Sequence, residues 1–282
     1  MKPDNRFVNQ PKHFWANVRS ISQQLGYTDA RRQIRVPQLT DMEAALQRIG
    51  LTATHLVDEN NQKTVIGQTL TEYFHHRAEA LNNFVNQNLM DVEQAKQLFE
   101  SLQTQLSSQV SIPLNKQKGD KKAPAYFTAI INLLIERSIE GLPCNHNPRR
   151  LTTVTRGNAP LRTLARRVDG AFPDTVNPIA IWEIKEYYYT TTFGSRVADG
   201  VYETLLDGME LEELREHEKM EVKHYLMIDS HRTWWQDGKS YLCRIIDILH
   251  MGYVDEVLFG YEVIGRLPEL TAEWVRIARS RE

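Results

Sequence analysis

The sequence predicts an α/β fold of mixed α+β type, in which helices flank a central mixed β-sheet and a helical region precedes it. Three observations support this prediction. Apolar residues recur at a helical period early in the chain and again after residue 124. Short hydrophobic runs of strand length begin after residue 150. Helix-length amphipathic segments alternate with the later runs, an order typical of a sheet covered by helices.

The N-terminal region, residues 1–110, is predicted to be helical. Its first helix has an apolar stripe with a period of about 3.6 residues, formed by Phe14, Val18, Ile21 and Leu25. Gly26 then provides a helix stop. A second helix should open at Thr40, the predicted N-cap, with Glu43 at the capping-box position. Residues 69–108 contain no proline and predict further helix.

A basic segment joins the first two helices, and its arginines are Arg31, Arg32 and Arg35. Helix, basic turn and helix together are compatible with a DNA-binding unit, although short amphipathic helices are also ordinary packing elements. The region 1–110 is therefore a candidate target-recognition part. Residues 110–123, with a proline and a lysine-rich run that contains glycine, predict a linker to a second domain over 124–282.

The second domain begins with a helix over 124–140 that has a broad apolar face. Strands of the central sheet are predicted over 151–156, 163–172, 179–185, 222–228 and 254–259. Helices are predicted over 197–220, 238–250 and 268–279. Residues 173–178, which contain two prolines, should form the turn between the second and third strands.

Composition excludes several classes of protein. With 282 residues, of which 41% are hydrophobic and 25% charged, the chain can form a packed core and is not globally disordered. It has no apolar run of about 18 residues, so no membrane span is expected. Its N-terminus lacks an apolar signal core. Cys144 and Cys243 make neither a disulfide framework nor a paired zinc motif. We therefore expect a cytoplasmic protein.

Charge is segregated along the chain, although the formal net charge is only −2. Six arginines without an intervening acid lie in one block: Arg149, Arg150, Arg156, Arg162, Arg166 and Arg167. Residues 203–221 are rich in acids and predict a solvated helix. The near-neutral total argues against nonspecific coating of nucleic acid, whereas the arginine block could face phosphates in one cleft.

Two hydrophobic strands bring acidic and basic groups towards one point. If residues 173–178 form a hairpin turn, the flanking strands run antiparallel and Asp169 lies nearly opposite Glu183, at a strand spacing of about 5 Å. Asp174 is the alternative acid, but it would lie in the turn, displaced by several residues of about 3.3 Å each. Glu183 and Lys185 are two residues apart on a strand, so both project to the same face.

An acid and a lysine on so hydrophobic a strand are costly to bury unless they pair or bind a metal. A structural ion pair on an edge strand is the simpler interpretation. Two carboxylates and a lysine are also what a hard divalent cation and a phosphodiester require, because magnesium binds through one or two carboxylates together with substrate phosphate. A lysine beside that cation can stabilise developing charge on the phosphate.

Asp169 followed by Glu183-Ile184-Lys185, within the order helix, three strands, helix and strand, resembles the PD-(D/E)XK nuclease superfamily. Type II restriction endonucleases are its most familiar members. The resemblance covers roughly residues 124–260. It implies that Asp169 and Glu183 would bind Mg²⁺ and that Lys185 would position or activate the attacking water.

The resemblance also implies a further acid from the preceding helix, a role that Glu136 fits, with Glu140 second. One departure concerns the first acid. The literal Pro173-Asp174 pair is displaced from Asp169 along the chain. The identity of the first metal ligand therefore depends on which of the two aspartates reaches Glu183.

Several polar and basic side chains are predicted DNA contacts. The segment after Lys185 brings hydroxyl groups and an arginine to a helix start, where phosphates bind readily; these residues are Tyr187, Thr191, Ser195 and Arg196. Arg162 and Arg166 of the arginine block and Arg232 of a later loop complete the set. The alternative interpretation of the segment after Lys185 is an extension of the β-strand.

The combined expectation is a Mg²⁺-dependent endodeoxyribonuclease that hydrolyses double-stranded DNA, of the restriction or anti-phage defence type. Cutting both strands of a duplex is most simply done by a symmetric dimer, so a homodimer is expected. Two alternatives stay open at this point. One is a repair, recombination or transposition nuclease on the same core, and the other is a non-enzymatic DNA-binding regulator that reads DNA through residues 13–50.

Overall fold

The computed structural model describes residues 1–60, 62–107, 109–117, 120–189 and 194–281. It confirms the α+β class, because helices make up the N-terminal unit and a four-stranded mixed sheet with flanking helices makes up the rest. Within these ranges, no helix is long and apolar enough to cross a membrane.

The three longer helices of the N-terminal unit pack around a core of aromatic and aliphatic side chains, whereas Leu81 and Val85 of its π-helical turn pack with the sheet. Its elements are α1 (Lys12–Leu25), α2 (Leu39–Arg48), α3 (Val65–Glu79), a π-helical turn (Ala80–Val85) and α4 (Asn86–Asn88). Helix α1 ends before Gly26, as predicted. Helix α2 starts earlier than the Thr40 cap implies, because the carboxylate of Asp41 accepts a hydrogen bond from the backbone N–H of Gln38 at 3.0 Å.

The helical stretch predicted over 69–108 is broken. The chain leaves helical geometry at Leu89 and begins again in α5 (Val92–Gln105). Asp91 caps α5, since its side chain accepts from the backbone N–H of Gln94 at 2.8 Å and the Gln94 side chain accepts from that of Asp91 at 2.9 Å. This Asp-x-x-Gln capping box is the local signal that marks the break.

The predicted linker over 110–123 instead contains an antiparallel hairpin. Its strands are β1 (Leu114–Gln117) and β2 (Asp120–Pro124). Helix α6 (Tyr126–Ser138) follows directly. The carboxylate of Glu186 accepts hydrogen bonds from the backbone N–H groups of Phe127 and Thr128, at 3.3 and 3.1 Å, and so satisfies unpaired donors at the start of α6.

The central sheet has the strand order β5-β6-β7-β8. Its strands are β5 (Gly170–Phe172), β6 (Ala180–Glu186), β7 (Lys223–Asp229) and β8 (Glu256–Phe259). The first pair is antiparallel and the other two are parallel. The strand predicted over 163–172 is wrong in its extent: β3 (Thr153–Arg156) and β4 (Ala159–Thr163) form a separate hairpin, and β5 begins only at Gly170. A Cβ atom at Gly170 would lie 1.9 Å from the Trp182 ring, so that close approach requires glycine.

Helices cover both faces of the sheet. After β6 come α7 (Ser195–Glu213), a π-helical turn (Leu214–Glu218), a second π-helical turn (His231–Asp237), α8 (Lys239–His250) and α9 (Glu262–Arg281). Helices α5, α6 and α9 pack with Trp182 and Met227 on one face, whereas α7 and α8 pack with Leu226 on the other. Because side chains alternate along a strand, Glu183 and Lys185 face away from Trp182 and towards α7.

Buried polar side chains join the N-terminal unit to the sheet unit. Arg77 of α3 donates to the Asp247 carboxylate of α8 at 3.1 and 3.2 Å. The Tyr73 hydroxyl donates to the same carboxylate at 2.5 Å. One turn further on, the Nε2 atoms of His76 and His250 lie 3.1 Å apart. The two units therefore share an interface that contains charged groups and imidazoles.

The buried imidazole of His250 should make stability pH-dependent. Burial lowers the pKa of His250 from 6.5 to about 4. Between those values the unfolded chain binds a proton that the folded chain does not, so stability falls as pH drops from 6.5 towards 4, by up to about 3 kcal/mol. Urea unfolding at pH 7 and pH 5 should show the loss, and His250→Gln should reduce its slope with pH. Equal slopes in the wild type and in His250→Gln would contradict this assignment.

Candidate active site

The start of β5 brings Asp169 to Glu183. The register pairs Gly170 with Trp182, which places the preceding residue beside Glu183. The backbone N–H of Asp169 donates to Trp182 O at 3.1 Å and to Glu183 Oε1 at 3.2 Å. In return, the Asp169 carboxylate accepts from the backbone N–H of Ile184 at 2.8 Å. The two acids are therefore neighbours, as the hairpin geometry predicts.

Asp174 lies at the other end of this hairpin. It is exposed in the turn after β5, and its carboxylate accepts from Asn145 Nδ2 at 2.7 Å. That hydrogen bond, together with a backbone hydrogen bond from Thr175, holds the pKa of Asp174 below its ordinary value. Because the turn separates it from Glu183 along the strand direction, Asp169 is the aspartate that the fold brings to Glu183.

Lys185 is held by two acids on the same face of β6. Its Nζ atom donates to Glu183 Oε2 at 2.8 Å and to Glu203 Oε2 of α7 at 2.7 Å. Glu183 is fully buried and Lys185 is 5% exposed. Gly200 of α7 allows this close approach, since a Cβ atom there would lie 3.4 Å from Lys185 Cδ and 3.0 Å from the Tyr187 hydroxyl.

Arg166, from the loop between β4 and β5, completes the group. Its Nη2 atom donates to Glu183 Oε2 at 3.0 Å and to Glu203 Oε2 at 3.3 Å. Its Nη1 atom donates to Asp207 Oδ2 at 2.6 Å. We call these six residues the ion cluster: Asp169, Glu183, Glu203, Asp207, Lys185 and Arg166.

Helix α7 is not the solvated helix that its acids predict. Glu203 and Asp207 are four residues apart and face the sheet, and Asp207 is fully buried. Farther along, Glu213 pairs with Arg162 at 2.6 Å, and Glu218 of the following π-helical turn pairs with Arg156 at 2.9 Å. Much of the arginine block therefore lies against the acidic segment instead of forming an open basic cleft.

The charges of the ion cluster set the protonation states of its central pair, Lys185 and Glu183. Burial opposes the positive charge of Lys185, but the attraction of Glu183 and other acids outweighs it and raises the pKa of Lys185. Burial likewise opposes the negative charge of Glu183, but Lys185 and Arg166 hold the pKa of Glu183 below its ordinary value. Lys185 is therefore an ammonium and Glu183 a carboxylate at neutral pH.

The other buried or desolvated acids of the ion cluster, Asp169 and Asp207, have too few cationic neighbours to balance their negative charges. Desolvation by the surrounding protein and the nearby charge of Glu183 raise the pKa of Asp169 to about 6, although part of this residue reaches the surface. Burial raises the pKa of Asp207 to about 7, against the effect of Arg166. Four carboxylates face two cationic side chains, which leaves an excess of two negative charges when all are ionised. A divalent cation would balance this excess.

The residues fit a magnesium ion held by two carboxylates. Within the described ranges, no three His, Cys, Asp or Glu residues form a ready cage for a metal. Magnesium does not need one, because it keeps several waters and binds through one or two carboxylates plus substrate phosphate. Asp169 and Glu183 are adjacent, and the buried Oδ1 atom of Asp207 has no hydrogen-bond partner among the described residues. The donor set therefore suits a hard cation.

Glu136, the predicted helical acid, lies on the opposite side of the sheet. Its carboxylate is 2.6 Å from His146 Nε2, and the His146 ring packs 6.2 Å from that of Trp182. Trp182 faces away from Glu183, so β6 separates Glu136 from the ion cluster. Glu140 pairs instead with Arg279. The fold thus brings Glu203 and Asp207 of the following helix to the cluster, and neither predicted acid of the preceding one.

Three of the other predicted DNA contacts, Tyr187, Ser195 and Arg196, lie at the start of α7. Tyr187 donates from its hydroxyl to Arg196 O at 3.2 Å, and its ring stacks on that of Trp234 at 5.6 Å. Ser195 and Arg196 are exposed in the first turn of α7. Arg232 is exposed in the π-helical turn after β7. Thr191 lies outside the described residues.

Family comparison covers almost the whole chain in two parts. The family described as "Domain of unknown function (DUF7687)" matches residues 90–274, more than half of the chain. The chain belongs to the DUF7687 family. A second family, described as "Domain of unknown function (DUF7690)", matches residues 1–84. No curated protein and no solved structure matches the chain.

The DUF7687 match includes the whole ion cluster, together with the central sheet. It begins next to Asp91, which caps α5, and the DUF7690 match ends before α4. Helix α5 falls within the predicted N-terminal region 1–110, but it packs against α6 in the core beside the sheet. The break between α4 and α5 therefore coincides with the change from one family to the other.

A matched pair of variants can identify which helical acid supports the ion cluster. Asp207→Asn should lower any metal-dependent activity by about 10- to 100-fold, as loss of a group that orients metal-binding residues does, because it removes the carboxylate that pairs with Arg166 Nη1. Glu136→Gln should stay close to the wild-type rate, since Glu136 pairs with His146 across the sheet. Single-turnover DNA cleavage rates measure both. A larger loss of activity in Glu136→Gln than in Asp207→Asn would instead identify Glu136 as the supporting acid.

Proposed function

We propose that the protein is a Mg²⁺-dependent endodeoxyribonuclease that acts on double-stranded DNA, of the type II restriction or anti-phage defence class. One observation carries the proposal: Asp169 lies beside Glu183, with Lys185 on the same face and two negative charges in excess. This is the arrangement that a metal-assisted phosphodiester hydrolysis requires. A homodimer and a cytoplasmic location are parts of the same proposal.

In this proposal, the residues of the ion cluster have different roles. Asp169 and Glu183 would hold the Mg²⁺, which when bound polarises a phosphate oxygen and lowers the pKa of its water. Lys185 is protonated, so it can donate a hydrogen bond to the phosphate or orient the attacking water, and it cannot accept the water's proton in this state. Glu203 holds the Lys185 ammonium in place from α7.

Arg166 keeps the acids together. Its guanidinium contacts Glu183, Glu203 and Asp207 at once, which offsets the repulsion among three carboxylates. The expectation that Arg166 binds phosphate directly is therefore replaced by a positioning role towards the acids. Arg162, which pairs with Glu213, stays a predicted DNA contact at the edge of the same helix.

The test is incubation of the purified protein with unmodified plasmid and phage DNA, with and without Mg²⁺. Discrete fragments that form only with Mg²⁺ would support a sequence-specific endonuclease, and the fragment ends would locate the cut. If only nicked, branched or otherwise structured DNA is cut, a repair or recombination nuclease becomes the better assignment. Binding of DNA without any Mg²⁺-dependent cleavage of these substrates would contradict the nuclease proposal.

A further inference from the structure

The basic turn between α1 and α2 has a fixed shape. Thr28 pairs with Ile34 across the turn. The Asp29 carboxylate accepts hydrogen bonds from the backbone N–H groups of Arg31 and Gln33, each at 2.9 Å. Such a side-chain-to-backbone pair stabilises a tight turn. Arg31 and the next residue, Arg32, are therefore held at an exposed tip.

This turn docks on the start of α8. Arg32 Nη2 donates to Gln236 O at 2.8 Å, and Lys239 Nζ donates back to Arg32 O. The Lys239 ammonium also lies 4.0 Å above the Trp235 ring. Arg244, farther along α8, donates from Nε to the Tyr27 hydroxyl at 3.3 Å. The N-terminal unit and the sheet unit thus build one surface together.

We call this surface the basic face, and its cationic residues are Arg31, Arg32, Arg35, Lys239 and Arg244. Among the described residues, none of the five has a carboxylate within 4 Å. Arg156, Arg162 and Arg166 are by contrast all paired with acids.

The two segments that form the face, residues 27–36 and 236–244, contain five cationic residues and two acids, Asp29 and Asp237, which is an excess of three positive charges. Because the whole chain has a net charge of −2, this excess of positive charge is confined to the basic face. Burial and the neighbouring Arg32 lower the pKa of Lys239, and the nearby charge of Asp29 offsets them only in part.

Packed aromatic rings connect the basic face to the ion cluster. Tyr187 lies against Gly200 close to Lys185, and its ring stacks on Trp234. The Thr233 hydroxyl donates to Tyr187 O at 2.8 Å, which fixes the π-helical turn that also carries Trp235 under Lys239. The same π-helical turn therefore contacts the strand of Lys185 through Trp234, whose Nε1 donates to Lys185 O at 3.2 Å, and supports Lys239 through Trp235.

We propose that the basic face binds the backbone phosphates of the DNA substrate, away from the phosphate that reacts in the ion cluster. The choice of DNA as partner rests on the proposed function; the surface itself rests on its unpaired cations. Phosphate contacts position a duplex without reading its sequence. The turn that looked like part of a helical reading unit thus acts together with α8, as one half of a phosphate-binding surface.

The experiment measures binding of a fluorescent 30-base-pair duplex in EDTA, where cleavage cannot interfere, at several salt concentrations. The variant is the triple substitution Arg31→Gln, Arg32→Gln and Lys239→Gln. The control removes the same charge from three paired arginines: Arg6→Gln, Arg156→Gln and Arg279→Gln. Both triple variants are checked by thermal unfolding, and an RNA duplex of the same length is a second ligand.

We expect the basic-face variant to bind at least about 10-fold more weakly near 0.1 M salt, with a salt slope smaller by about two to three, one unit for each lost phosphate contact. The control should bind as the wild type does. Equal affinities of the two triple variants, or no duplex binding by the wild type at low salt, would overturn the proposal. Tighter binding of RNA through the same residues would overturn DNA as the partner. A wild type that binds but never cleaves would contradict the nuclease proposal alone.

Discussion

Replacing Glu183 by glutamine is expected to lower Mg²⁺-dependent DNA cleavage by about 100-fold or more, a loss like that of removing one preorganised charge-stabilising group. Glu183 Oε2 is the shared acceptor of Lys185 and Arg166, and its other oxygen contacts the backbone of Asp169. Glutamine keeps the volume but removes the charge that a metal and both cations need. Single-turnover cleavage of a plasmid, at saturating enzyme, measures the effect on the chemical step.

The same strand supplies the control. Glu186→Gln makes an identical chemical change three residues later, on the opposite face of β6, where the side chain caps α6 and can still accept hydrogen bonds. It should cleave at close to the wild-type rate. Lys185→Met should lose activity to a similar extent as Glu183→Gln, because both change the same buried pair. Full cleavage by Glu183→Gln in a folded protein would falsify the nuclease proposal.

Local pairing explains why part of the ion cluster can be predicted from sequence. Asp169, Glu183 and Lys185 lie on two strands joined by a short turn, so antiparallel register and side-chain alternation place them together without further information. Glu203 and Asp207 reach the same point only because α7 crosses back over the sheet after β6. That crossover is a tertiary event, and the sequence offers only the spacing of the two acids and Gly200 as signals.

Long-range pairing also explains why the arginine block is misleading. A run of arginines without acids suggests an open phosphate-binding surface, but Arg156 and Arg162 meet partners about 50 to 60 residues later in the chain. The cations that stay unpaired, such as Arg32 and Lys239, come from segments about 200 residues apart. The basic turn can be recognised from the sequence, but its combination with Lys239 of α8 appears only in the fold.

Replacing Arg77 by leucine is expected to destabilise the protein by about 3–5 kcal/mol, the usual cost of breaking a buried ion pair by removing one partner. Arg77 is 1% exposed and Asp247 is 3% exposed. The guanidinium also donates to Ser22 Oγ at 3.1 Å and lies 4.9 Å from the centre of the Phe74 ring. Leucine would leave the Asp247 carboxylate buried, with the Tyr73 hydroxyl as its only hydrogen-bond partner among the described residues. Urea unfolding at pH 7 measures the loss.

The matched control is Arg6→Leu, which removes an exposed arginine paired with Asp4 and should cost no more than about 1 kcal/mol. The double variant Arg77→Leu with Asp247→Leu should recover part of the loss, because it no longer buries an unpaired charge. Arg77 lies in the DUF7690 match and Asp247 in the DUF7687 match, so this pair connects the two units. Arg77→Leu alone should therefore weaken the contact between the units. Limited proteolysis should then cut near residues 85–91 sooner than in the wild type. Equal stability losses for Arg77→Leu and Arg6→Leu would show that this pair does not hold the two units together.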